Sequence, residues 1–153
     1  MYDSKEDTLK HREEVHKLLN WFISELMKKG DIHDQSKLEE PEKTAFDMYS
    51  PKLKETVYGS EQYKEYLREM TPAVQHHYIF NRHHPEHFVA GINGMNLIDL
   101  IEMLCDWKAA TKRMKDGGNI MESIRINGER FKIGEQLTWI LKNTVIDTEG
   151  VKG

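Results

Sequence analysis

The sequence predicts an all-α fold, a single compact helical bundle of about six or seven helices. Three observations carry that expectation. Apolar residues recur at helical spacing through most of the chain, and no stretch of any length alternates with the period of a strand. Gly, Pro, Ser and Asn fall between the periodic segments, where helix stops and caps belong. At 153 residues the length suits one domain, residues 1–153, with a single core.

Taken in order, Val15, Leu18, Leu19, Phe22, Ile23, Leu26 and Met27 mark a long amphipathic helix from about Lys5 to Lys29, with Gly30 as its stop. His11 and His16 lie on or beside its apolar stripe, and either can face inward. The segment Gly30-Asp-Ile-His-Asp-Gln-Ser-Lys-Leu38 follows, read as a short helix from Ile32 to Leu38. Pro41 suits the first turn of the next helix, running towards Leu53 or Val57. Gly59-Ser60 reads as a stop and then an N-cap, opening a helix over Glu61 to Met70. Thr71-Pro72 repeats that punctuation and opens a helix carrying His76, His77, His83 and His84.

Pro85 to Asn96 is rich in turn formers and reads as a loop. Asn96 caps the most apolar helix, Leu97 to about Lys115, and Asp116-Gly117-Gly118 is a turn. Asn119 caps a short helix to Ile126, ended by the Asn127-Gly128 turn. A last helix carries Leu137, Trp139, Ile140, Leu141 and Val145, before a frayed tail from Thr148 to Gly153. Trp21, Trp107 and Trp139 sit at helical core positions.

Composition narrows the function. With 22 Lys+Arg against 26 Asp+Glu the net charge is -4, which leaves no global basic field for duplex nucleic acid, though a local patch can hold a small nucleotide. The one cysteine, Cys105, excludes an internal disulfide and a cysteine-rich zinc site, and its apolar helix suggests a buried thiol. The charged N-terminus has no signal-like apolar region, and the run near Leu97 to Leu104 is too short and acidic to span a membrane. A cytoplasmic protein is expected, in the host cytoplasm if the chain is phage-encoded, with room for an oligomer.

Two features carry chemistry. On the apolar helix after Asn96, Asp99, Glu102 and Asp106 form one stripe at i, i+3 and i+7. Either that face is solvated, or the carboxylates meet cations or donors inside, because burying three unpaired carboxylates is prohibitive. Arg113 extends the same face. Histidine is the second feature: five of the eight fall between His76 and His87. Imidazoles clustered so closely, with the adjacent His33 and Asp34 earlier in the chain, suit a divalent transition metal. No phosphate loop, GxGxxG, GxSxG or His-Glu-x-x-His occurs.

His33-Asp34-Gln-Ser-Lys37, His83-His84-Pro-Glu86 and Asp106-Trp-Lys-Ala-Ala110 together resemble motifs of the HD-domain superfamily, all-helical and mostly metal-dependent phosphohydrolases acting on nucleotides, with some diiron oxygenases. Ser36 stands where that superfamily usually has Gly. More closely, Thr8-Leu-Lys-His11, HDQSKL, YGSEQYK, NRHHPEH and GMNLIDLIEMLCDWKAA resemble a family of small phage and bacterial proteins of uncharacterised function, over nearly the whole length. The resemblance implies a first metal held by His11, His33, Asp34 and Asp106, with His11 preferred to His16. His77 and His84 would hold a second metal or line the pocket. One or two ions of Mn, Fe, Co, Zn or Ni would serve hydrolysis of a small nucleotide or related phosphoester by activated water. Lys37, Arg82, His83 and Arg113 would contact substrate, with Asp34, Lys37 and Glu102 in catalytic roles and Asp99 or Glu102 as ligand orienter or base. The alternatives are a diiron oxygenase on the same scaffold and a phage-encoded nucleotide- or protein-binding module without turnover.

Overall fold

The computed structural model describes residues 2–56, 60–112 and 118–148, the side chains of 146–148 excepted. Among the described residues seven α-helices follow one another: α1 (Lys5–Ile32), α2 (Glu42–Glu55), α3 (Glu61–Glu69), α4 (Thr71–Phe80), α5 (Leu97–Thr111), α6 (Ile120–Arg130) and α7 (Glu135–Thr148). Short 3-10 turns cover Gln35–Leu38, Pro85–His87 and Gly91–Gly94, and the described residues contain no strand. The all-α class is as predicted. The expected helix ends near Val57 and Lys115, the Gly59 stop, most of the turn at 116–118 and the tail from 149 lie outside the described residues.

Caps act where their side chains allow. Ser60 Oγ accepts from the Tyr63 amide at 3.1 Å, and Asn119 Oδ1 from the Met121 amide at 2.8 Å. Asn96 Oδ1 accepts from the Asp99 amide while Asp99 Oδ2 accepts from the Asn96 amide, a reciprocal capping box. Elsewhere the punctuation is overridden. Gly30 does not stop α1, which runs on to Ile32. Met70 rather than Thr71 is the N-cap of α4. The Asn127-Gly128 pair lies within α6, which continues to Arg130. Gly costs a helix only about 1 kcal/mol, which neighbouring hydrogen bonds and packing outweigh.

The chain divides into two units, residues 1–33 and 34–153. The first is essentially α1, 28 residues long, and it buries none of them. Leu18, Leu19, Ile23 and Met27 of its apolar stripe are exposed, as are Trp21, His11 and His16. Periodicity marks the face that can be buried; within this unit no second helix covers it.

The second unit has two centres of different character. The apolar one joins α5, α6 and α7 through Leu104, Ile120, Ile124, Leu141 and Val145, with Trp107 and Leu137 packed against them. The other lies where α2 meets α3, α4 and the 3-10 turn at Gln35–Leu38. Met70 and Ala73 are buried there, but so are Glu42 and His77. On α5 the acidic stripe turns inward, with Asp99 and Glu102 buried and Asp106 half-buried, while Leu97, Ile101 and Cys105 are exposed. The thiol expected inside is therefore outside, and Trp139 is exposed as well. Hydrophobicity alone misorders this helix because its carboxylates have donors waiting for them.

Candidate metal centre

Asp34 takes the left-handed conformation, with φ 57° and ψ 19°. For a non-glycine residue that costs on the order of 1 kcal/mol, least for Asp and Asn, and such outliers concentrate at functional sites. The 3-10 turn beginning at Gln35 brings Lys37 back over it, with Lys37 Nζ 2.6 Å from Asp34 Oδ2 and 5.0 Å from the centre of the Phe46 ring. The helix carrying His76 and His77 ends at Phe80, sooner than expected, because Asn81 is extended. His83 and His84 are therefore not two turns further along its faces. The chain folds back before Pro85, and His84 Nε2 comes within 3.0 Å of His77 Nε2.

Behind His77 stands Glu42, fully buried at the start of α2. Its Oε1 lies 2.8 Å from His76 Nδ1, and its Oε2 lies 2.8 Å from His77 Nδ1 and 3.0 Å from Ser36 Oγ. Burial alone pushes this carboxyl upward, but the hydrogen bonds from His76, Ser36 and His77 outweigh burial and hold it below the ordinary range. An ionised carboxylate only accepts, so Glu42 favours the His77 tautomer with its proton on Nδ1, which turns Nε2 outward as an electron-pair donor. That nitrogen lies 3.3 Å from Asp34 Oδ1.

The pattern recurs on the other side. His83 is buried, its Nδ1 3.2 Å from Glu102 Oε1 and its Nε2 3.5 Å from the same Asp34 Oδ1. Two carboxylate-backed imidazoles thus converge on one oxygen, the arrangement by which proteins orient metal-bound histidines. Asp34, His77, His83 and His84 each offer a donor atom, all within 4.8 Å of one another. Three imidazole nitrogens and one carboxylate oxygen are a set that can hold a divalent metal ion. Asp106 also belongs here, with a carboxylate oxygen within 4.8 Å of a ring nitrogen of His83.

Several expected roles change. Arg82, expected on substrate, is committed to Asp99 by paired contacts of 3.1 and 2.8 Å, and its guanidinium lies over Phe88. Asp99 is thereby an ion-pair partner of Arg82 and half of the α5 capping box. His83 joins the cluster that could hold a metal ion, and Glu102 Oε1 stands 3.2 Å behind its Nδ1. Arg113 lies outside the described residues. His11 is exposed on α1 and His33 is the C-cap of that helix, both in the first unit. Glu42 and Asn81 were not foreseen. Glu42 is one of 26 acidic residues and nothing in its neighbours marks it, since what singles it out is histidines more than 30 positions away.

Burial first, then the adjacent His83 and His77, lower His84 from 6.5 to about 3. In the unfolded chain this imidazole takes up a proton below about pH 6.5, and in the folded protein it does not. Folding stability of the metal-free protein should therefore fall as pH drops below 6.5, at up to about 1.4 kcal/mol per pH unit. Urea unfolding at pH 6.5 and 5.5 measures this, and equal stability at the two values would contradict it.

Residues 1–147 match a family of unknown function, DUF5662, and the chain belongs to it. No curated protein and no solved structure matches the chain.

Proposed function

We propose that this member of the DUF5662 family is an HD-like, metal-dependent phosphohydrolase acting on a small nucleotide or related phosphoester. The observation that supports it most is the convergence of His77 Nε2 and His83 Nε2, each backed by a buried glutamate, on Asp34 Oδ1. Nitrogen-rich ligands favour Mn, Fe, Co, Ni or Zn over Mg or Ca. When bound, such an ion would lower the pKa of water towards ~7 and polarise a phosphoryl oxygen. Asp34, His77, His83 and His84 would hold it, and Glu42 and Glu102 would keep two rings in the ligating tautomer. Lys37, its Nζ 2.6 Å from Asp34 Oδ2, would neutralise charge on a phosphoryl group.

Elemental analysis of purified protein, with a phosphoester panel before and after chelation, tests the proposal. One or two transition-metal ions per chain are expected, with turnover lost on chelation and restored by the metal. Turnover indifferent to chelation, or protein that binds no metal, would overturn it. Tightly held metal without turnover points to a binding module instead, and iron with oxygen-dependent turnover to a diiron oxygenase.

A further inference from the structure

Ser36 and Asn81 touch no donor face of the cluster, yet both are wired to His77. Asn81, buried beyond the end of α4, places Nδ2 2.7 Å from Ser36 Oγ, 2.8 Å from the His77 carbonyl oxygen and 2.9 Å from His77 Nδ1. Ser36 Oγ lies 3.0 Å from Glu42 Oε2 and 3.3 Å from His77 Nδ1. Nitrogen Nδ1 of His77 therefore faces one acceptor, the Glu42 carboxylate, and two groups able to donate to it.

Which way the ring is protonated depends on where those donor hydrogens go. An amide nitrogen has two hydrogens and a hydroxyl has one. Glu42 accepts the hydroxyl hydrogen of Ser36, so the serine oxygen accepts one hydrogen of Asn81. The His77 carbonyl takes the other. Every donor is then spent, and His77 Nδ1 donates to Glu42.

We propose that Ser36 and Asn81 form a tautomer lock: Ser36 draws the Asn81 amide hydrogen away from His77 Nδ1, so that the ring protonates there and leaves Nε2 to ligate. Without the hydroxyl, that amide hydrogen turns 2.9 Å onto Nδ1. The ring proton then moves to Nε2, where it meets Asp34 Oδ1 at 3.3 Å and closes the ligating position. Both residues act through His77 and are positioning residues. The consequence for metal affinity rests on the metal-centre reading; the tautomer itself does not.

The test uses the full-length protein and Zn²⁺ as the probe. Two-bond ¹⁵N–¹H spectra of the histidine rings in metal-free protein report the tautomer, and a competitive chelator titration reports affinity. Wild type should show His77 protonated on Nδ1. Ser36→Ala should shift it to Nε2 and weaken Zn²⁺ roughly 10- to 100-fold, the usual range for loss of a group that orients a ligand. Ser36→Thr should restore both. Removing the competing amide in Ser36→Ala/Asn81→Leu should return the proton to Nδ1, an outcome that loss of packing cannot produce. If Ser36→Ala keeps the Nδ1 proton, or wild type lacks it, the lock is overturned. A shifted tautomer in a protein that never binds Zn²⁺ upholds the lock and overturns the metal centre.

Discussion

On the proposed phosphohydrolase reading, Asp34→Asn is expected to lose phosphoester turnover by roughly a thousandfold or more, about 4 kcal/mol of transition-state stabilisation. Asp34 Oδ1 is the oxygen towards which His77 and His83 both turn, and Oδ2 holds Lys37. Asparagine keeps the side-chain shape and the left-handed backbone, so the loss should appear in chemistry and metal content rather than in folding. Alanine removes the same oxygens but adds backbone strain at φ 57°, which makes the pair informative. Both variants should lose turnover, and the alanine variant alone should also lose about 1 kcal/mol of stability. Metal content and kcat equal to wild type in Asp34→Asn would remove Asp34 from the centre.

Glu42→Ala will destabilise the metal-free protein by about 3 kcal/mol. A buried carboxylate normally opposes folding, and this one is tolerated because His76, His77 and Ser36 all donate to it. Deleting it leaves three donors without their acceptor, His77 buried and His76 and Ser36 half-buried; a buried unmet donor costs about 1–3 kcal/mol, and one that solvent reaches costs less. Because its folded pKa lies below 4.5, the carboxylate contributes stability above that value, lost as pH falls through the depressed one. Urea unfolding at neutral pH checks the magnitude, and a change under about 1 kcal/mol would show the network to be dispensable. Glu42→Gln separates the roles, since an amide of the same size keeps the packing and should still weaken metal binding roughly 10-fold or more.

How far the chain could be read depended on how local each signal was. Caps are local, and Ser60, Asn96 and Asn119 all hold the amides their side chains can reach. Asp34, His77 and His84 were nominated as ligands from the sequence and are brought together. The single helix expected to carry His77 and His84 does not reach His84: the extended backbone at Asn81 ends α4, and a reversal of the chain joins the two rings.

The amino-acid sequence by itself determined the helical class, most helix starts and the ligand chemistry, because these depend on residue types and on spacings within a few turns. Tertiary structure alone decided which faces are inside. The stripe of Asp99, Glu102 and Asp106 was compatible with solvent or core, and it lies inward because Arg82 and His83 arrive from another segment. The α1 stripe shows the converse, since apolar spacing there buries nothing within its own unit. Glu42 is the clearest case. A buried carboxylate is stable only where donors converge, and its three come from positions 36, 76 and 77. No local pattern records that convergence.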